Sequence, residues 1–565
     1  MNTRKLIGHR ILLLAALIAL ALPATLQAQF TFITNNNAIT ITGYGGPGGN
    51  VVIPDSINGY PVTVIGFGVF FESFNITSVT LPDSITSIEE AAFMGSIGLT
   101  SITIPGNVTN IGVDAFSSCL ALTNVAIPAS VASIGDYAFF YCNNLTAIDV
   151  DAANPNYSSV DGVLFNKDQT TLMQFPFGKS GSYSIPSTVT NLADEAFGIN
   201  DYGDIGTFYS IYSCSGLTNL NIPGSLVNIG TYAFSRCTGL QSVTIAYGIS
   251  TIESNAFSWC PNLTGVSIPN SVTSIGDLAF YYSGLASVNM QEGLISIGEG
   301  GFNFCTNLTS VTFPDGLTSI GERAFLFCSG LTNAIIPASV TNIGPHAFAS
   351  CASLENISVN GNNPCYSSID GILFNKDQTV LIQFPGGRGG SYAIPSGVTS
   401  IGDHAFGTYD LTVFYPLSCI DMTNIIVPAT VTNIGDGALF YLLNLTSIYF
   451  EGDAPTYAGS VGNGFSDTTY YMPGTSGWGQ YFADSPTALW LPQMQSDASF
   501  GFRTNQFGFN INWAGDRTVI VESCTDLGNP IWTPVSTNTL TGGTSYFSDP
   551  QWTNYPSRYY RIRSP

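Results

Sequence analysis

The chain has 565 residues, of which 9% are charged and 45% hydrophobic, and its formal net charge at pH 7 is −23. A chain this long exceeds what one compact core encloses, so several domains or a solenoid are expected. Only 14 lysines and arginines are present, which removes the basic patch that nucleic acid requires and makes anionic lipid surfaces poor partners.

Residues 1–28 read as a secretory signal. Arg4, Lys5 and Arg10 supply the positive start, "ILLLAALIALAL" the short apolar core, and Ala28 the small residue before cleavage. The mature chain is expected to begin near Gln29 and to be secreted or held at the cell surface. Beyond this segment no uninterrupted apolar run reaches the about 18 residues of a membrane-spanning helix. Residues 29–60, with "FTFITNNNAITITGYGGPGGNVVIP", are expected to form an N-terminal β cap of short strands over an otherwise exposed edge.

From 61 to 450 one phrase recurs. Pro82, Pro105 and Pro128 are 23 residues apart, and Cys119 and Cys142, Cys237 and Cys260, and Cys305 and Cys328 keep the same beat. A fixed period in the twenties signals stacked coils, none able to bury its apolar side alone. In "LTSVTIP" apolar and polar residues alternate as in a half-buried strand, which the proline ends. A second short extended piece, "SVTSIG", follows, and "DYAFFYC" then turns with Ala, Phe and Cys inward.

These units follow the pattern "IPxSVTxIGxxAFxxCxxL" and resemble the BspA-like leucine-rich repeats of bacterial surface proteins. The resemblance covers about residues 60–450. It implies a right-handed, β-rich leucine-rich-repeat solenoid, and a family that includes adhesins engaging host or matrix proteins. Departures are local: Ala246 and Gln291 replace Pro, and Ser283 replaces Cys. Residues 154–186 and 363–395 are close copies of one another and read as elaborated coils. In each, a hairpin turns at Lys-Asp-Gln, so the solenoid is itself a tandem duplication of about 209 residues.

Residues 451–491, ending in "YYMPGTSGWGQYFADSPTALW", read as the closing cap, and Pro492–Ser499 as a linker. Residues 500–565 change composition and hold five of the fourteen bases: Arg503, Arg517, Arg558, Arg561 and Arg563. Their short strands between Gly, Pro and Asn turns indicate a small all-β, sandwich-like domain. It resembles the C-terminal modules of many secreted bacterial repeat proteins.

Few residues offer chemistry. The repeat-spaced cysteines read as a ladder of inward free thiols, with disulfides the alternative in an exported chain. His346 and His404 occupy a variable slot and are expected at the surface. Glu90, Asp136, Asp194, Asp277, Glu299, Glu322, Asp403 and Asp436 share one slot and are expected to cap the "xxAFxxC" turn, with calcium binding the alternative. No catalytic set, metal site or cofactor is expected.

What remains is surface. Two residues before the strand-ending proline stand Thr80, Thr103, Ala126, Asp149, Asn221, Thr244, Ser267, Asn289, Thr312, Ile335, Ile426 and Tyr449. This changing, outward column on a fixed coil is the expected ligand-binding face. Tyr202, Phe208, Tyr209 and Tyr212, and Tyr409, Phe414 and Tyr415, follow the two elaborated coils and add aromatic anchors suited to sugars or protein. The expected function is a non-catalytic extracellular or cell-surface binding scaffold for a protein or polysaccharide. The alternatives are a structural cell-envelope spacer and the carbohydrate-targeting component of a secreted degradative system.

Overall fold

The computed structural model describes residues 29–199, 214–407, 419, 421–440, 442–459, 461, 468–503, 506–515 and 517–564. The chain divides into two compact units, one ending at Gly371 and the other beginning at Ile372. Among the described residues the only helical element is a single 3-10 turn, Trp552–Asn554.

The first unit opens with a hairpin, Phe30–Asn35 against Ala38–Tyr44. Its turn residues Asn36 and Asn37 both have positive φ, the backbone that a tight two-residue hairpin demands and asparagine tolerates. Ala38–Tyr44 then pairs in parallel with Tyr60–Ile65, and the repeating coils are laid down from there.

Each coil contributes two strands to two separate parallel sheets. In the first sheet Ser242–Ile245, Gly265–Ile268, Ser287–Met290, Ser310–Thr312 and Asn333–Ile336 lie side by side. Thr244 is paired with Ser267, Ser267 with Asn289, and Asn289 with Thr312, so equal repeat positions stand in file. The second sheet is built from two-residue strands such as Ser274–Ile275, Ser296–Ile297 and Ser319–Ile320.

The "AF" turn closes the coil, and its backbone also bonds outward. Leu278, Phe280 and Tyr282 donate their N–H groups to Glu299, Gly301 and Asn303 of the next coil, while Ala279 and Tyr281 donate within the turn. Inside, the turn phenylalanines form a file of nearly parallel rings. Phe257, Phe280, Phe302, Phe325 and Phe348 follow one another at 5.4, 5.2, 5.2 and 5.5 Å. The coil rise imposes this spacing, and each ring is sealed by its neighbours.

The elaborated coil contains three antiparallel strands, Tyr157–Val160, Val163–Asn166 and Thr171–Gln174, with the hairpin turning at Lys167-Asp168-Gln169 as read from the sequence. Buried Asn154 anchors it, donating to the carbonyls of Pro128 and Val131 and accepting from the N–H groups of Asn156 and Tyr157.

The second unit repeats the plan. Ile372–Asn375 pairs antiparallel with Val380–Gln383, and Gly390–Ala393, Met422–Val427, Ser447–Phe450, Thr468–Tyr471 and Ser485–Leu489 form a parallel sheet. Two antiparallel sheets follow. One contains Gln506–Asn512 and Thr544–Asp549, and the other contains Thr518–Cys524 with Thr533–Thr539 and Tyr559–Arg563. Their shared core is Phe509, Ile511, Val519, Val521, Leu540 and Phe547. Gln493–Met494, in the stretch expected as a linker, is a strand of the first of these sheets, paired with Asn512 and Ile511.

The slot expected to place His346 and His404 at the surface is a left-handed backbone position. Tyr137, Asn255, Leu278, Arg323, His346 and His404 all occupy it with φ between 49° and 60°. His404 is only 5% exposed. Its ring lies over Gly437, where an added Cβ would run into the imidazole. The slot varies because its constraint falls on the backbone: Tyr137 stays exposed there, whereas His404 folds down on the neighbouring coil.

Candidate binding surface

Two outward columns run along the first sheet, and they differ in their partners. One holds Ser182, Asn219 and Ser242 in register. Asn219 Nδ2 donates to Ser182 Oγ at 3.0 Å, and Ser242 Oγ donates to Asn219 Oδ1 at 2.6 Å. Beside it a threonine file does the same with backbone: the hydroxyls of Thr100, Thr146 and Thr332 donate to the carbonyls of Thr77, Thr123 and Thr309 at 3.0 to 3.2 Å. The threonine file is sewn coil to coil, and the serine–asparagine column is sewn over Ser182, Asn219 and Ser242, which leaves those groups little capacity for a ligand.

The column two residues before the proline is different. Thr80, Thr103, Asp149, Asn221, Thr244, Ser267, Asn289 and Thr312 are all exposed. Asn221 donates to Ser184 Oγ at 2.8 Å. Among the described residues, the hydroxyls and amide of Thr80, Thr103, Thr244, Ser267, Asn289 and Thr312 make no hydrogen bond to protein. Ile335, in the same file, is 63% exposed. Tyr449 is half-buried instead, stacked on Tyr470 at 5.1 Å and against Trp490 at 4.5 Å. Tyr202, Tyr209, Tyr212, Tyr409 and Tyr415 lie outside the described residues.

The buried thiols of the described interior are unreactive. Cys119, Cys142, Cys260, Cys328 and Cys351 donate their thiols to the carbonyl of the turn phenylalanine one coil back, at 3.1 to 3.2 Å. Burial pushes the thiols of Cys142, Cys305 and Cys351 up to about 12. A thiol that holds its proton at physiological pH is neither nucleophile nor metal ligand. Ser283, standing where cysteine is usual, lies 3.3 Å from Cys305 Sγ and keeps the file continuous.

Two members of the acidic column, Asp277 and Asp403, bond to the following coil rather than capping their own turn. Asp277 Oδ1 accepts from the N–H of Glu299 and Asp403 Oδ1 from that of Asp436, at 2.8 and 2.9 Å. The turn is not helical, so there is no helix N-terminus to cap, and the nearest free N–H belongs to the following coil. Arg323 sits among these acids, 3.3 Å from Glu299 and 3.1 Å from Glu322. No group of three His, Cys, Asp or Glu residues suited to a metal ion occurs among the described residues.

In-register parallel coils, inward files of Leu, Ile, Phe and Cys, and a strand face bare of catalytic groups define a leucine-rich-repeat solenoid. The family model described as "BspA type Leucine rich repeat region" matches residues 63–202, 204–298, 273–387 and 390–460, in six copies. These matches span more than half of the chain, and the protein belongs to that family. It is a family of non-catalytic scaffolds, typically surface-exposed or secreted. No curated protein matches the chain.

Among solved structures, a leucine-rich repeat protein from Bacteroides ovatus is 22% identical, with 76% of this chain and 98% of that one covered and a TM-score of 0.42. A leucine rich cell surface protein from Faecalibacterium prausnitzii is 21% identical, covering 79% and 88%, with a TM-score of 0.30. A leucine-rich repeat protein from Bacteroides capillosus is 37% identical over 22% of this chain and 95% of its own, with a TM-score of 0.21. No described helix is long and apolar enough to cross a membrane.

The sequence reading found the open column and missed both the sewn columns and the left-handed slots. The slot had a signal: Gly300 and Gly437 stand in it with positive φ, and a glycine alternating with bulky residues at one repeat position marks backbone constraint.

Proposed function

We propose that the protein is an extracellular or cell-surface scaffold that binds a protein or polysaccharide through the strand face, without chemistry of its own. One observation carries this reading. Thr80, Thr103, Thr244, Ser267, Asn289 and Thr312 form an exposed file with unused hydrogen-bonding capacity, beside a threonine file whose hydroxyls are spent between coils. A repeat scaffold can vary such a file without cost to its core, because no coil depends on it for packing. Asp149 and Asn221 extend the face, and Tyr449 holds the same repeat position in the second unit and belongs to the proposal there. Tyr202, Tyr209, Tyr212, Tyr409 and Tyr415 belong to the same proposal as aromatic anchors.

The proposal includes export by residues 1–28, a cap over 29–60, the solenoid over 61–450, a closing cap over 451–491 and a separate β module over 500–565. Family membership supports the location, and the low count of basic residues argues for neutral or basic ligands.

The test is an array of extracellular-matrix proteins and polysaccharides probed with residues 29–565 and with a triple variant, Thr244→Arg, Ser267→Arg and Thr312→Arg. Binding confined to one ligand class and lost in the variant is the expected result. Binding that the variant retains in full removes the strand face from consideration, and silence across the array favours a spacer.

A further inference from the structure

The first three coils carry a second surface, on the turn side rather than the strand side. Phe67, Phe71 and Phe74 are 70%, 49% and 48% exposed, three large rings within eight residues of one turn. Later coils put mainly polar residues in the slots of Phe67 and Phe74. Where Phe67 stands, other coils have Asp136, Asp277 or Glu299, and where Phe74 stands they have Asn143, Thr238 or Thr306.

The neighbouring coils extend the apolar character in register. Glu72 donates its N–H to the carbonyl of Met94, and Ala121 donates to that of Ile97, which sets Phe71 beside Met94 and aligns Ile97 with Leu120 and Ala121. Val113, in the slot of Phe67, is 39% exposed. Exposed apolar side chains gathered in one place mark a contact with protein or membrane.

Charge narrows the partner. From Gln29 to Asn166 the sequence contains no lysine, arginine or histidine. Glu72 is exposed on the same turn, and Glu90 and Asp114 belong to the adjoining ones. An aromatic patch in a wholly anionic field repels a second copy of this chain, an acidic protein and an anionic membrane. It fits an apolar surface bordered by lysine or arginine.

We infer that the turn side of the first three coils is a docking site for a protein partner presenting apolar side chains within a cationic rim. The phenylalanines supply the buried centre of the contact, and the acids steer it.

The probe is a fluorescently labelled amphipathic helical peptide of leucine and lysine, titrated into the purified full chain and read by anisotropy. The expected result is saturable binding that weakens with salt, is absent for a leucine–glutamate peptide, and falls about tenfold or more in Phe67→Ser/Phe74→Ser. The exposed-ring control Tyr247→Ser keeps wild-type affinity, and Val113→Ser gives a smaller loss that does not depend on changing a large ring. Equal binding by the phenylalanine variant, or by the leucine–glutamate peptide, overturns the assignment. Self-association in sedimentation that disappears in the variant replaces the partner with a second copy. Binding to phosphatidylcholine vesicles that the same variant abolishes replaces it with a membrane.

Discussion

Cys260 in the solenoid and Glu522 in the C-terminal module are both buried polar side chains, and their partners differ in kind. Cys260 donates a thiol proton to the Phe234 carbonyl of the previous coil at 3.2 Å, a neutral contact that the repeat makes again and again. Glu522 is a carboxylate gripped by two guanidiniums, with Arg561 Nε and Arg563 Nε each at 2.8 Å and Arg561 set over Trp532 at 4.6 Å. Arg558 pairs with Asp549 in the same module at 3.0 Å. A coil that must match its neighbours on both faces gains from neutral groups, because like charges stacked one coil apart repel. A small sheet pair built once can use ion pairs between unlike strands. The comparison teaches that the scarcity of charge belongs to the repeat.

Breaking this contrast by pH gives the largest expected effect. The buried thiols titrate above their ordinary range, so the folded solenoid holds protons that the unfolded chain releases. Its stability is complete below the ordinary thiol value of about 8.5 and falls as pH rises toward 12. At pH 10 each such thiol costs about 2 kcal/mol, and the file acts together. Circular dichroism at rising pH is expected to show the coils failing between about pH 9 and 11.

Removing one interior ring comes next. Phe257 is fully buried between Phe234 and Phe280, and Phe257→Ala is expected to cost about 3–5 kcal/mol in urea unfolding. Unfolding that becomes multiphasic, with coils on one side outlasting the others, is the behaviour of a one-dimensional stack.

The smallest effect sharpens the other half of the contrast. Hydrogen bonds from Arg563 and Arg561 hold the Glu522 carboxyl below the usual carboxylate range. Its contribution is therefore present above about pH 4.5 and lost as pH falls through the lowered folded value. Glu522→Gln is expected to lower the melting temperature of the module at neutral pH and to remove this acid dependence, while the alkaline transition of the coils stays unchanged. Scanning calorimetry at pH 7 and pH 3.5 checks both.

The sequence displayed the solenoid clearly because a 23-residue beat repeats every determinant: Pro ends the strand, Phe and Cys file inward, Ser and Thr face out. It hid whatever depends on the neighbouring coil. The carboxylate of Asp277 looked like a local cap because the N–H of Glu299 lies 22 residues away in sequence. His404 looked exposed because a variable slot usually is, whereas here variation is permitted by a left-handed backbone. The exposure of Phe67, Phe71 and Phe74 likewise emerges only from the fold, in which Phe70 alone of the four turns inward, with no exposure at all.

The account rests on equal repeat positions standing one coil apart, which distance measurements between spin labels test most directly. Cysteines placed at position 244 and at 267, 289 or 312 can be labelled once half-exposed Cys365 is replaced by serine, since the other native thiols are buried. In-register stacking predicts label separations that grow by about 4.8 Å per coil along this series. Separations that show no regular increment, or a label at 312 as close to 244 as one at 267, would contradict the stacked columns and with them the binding face.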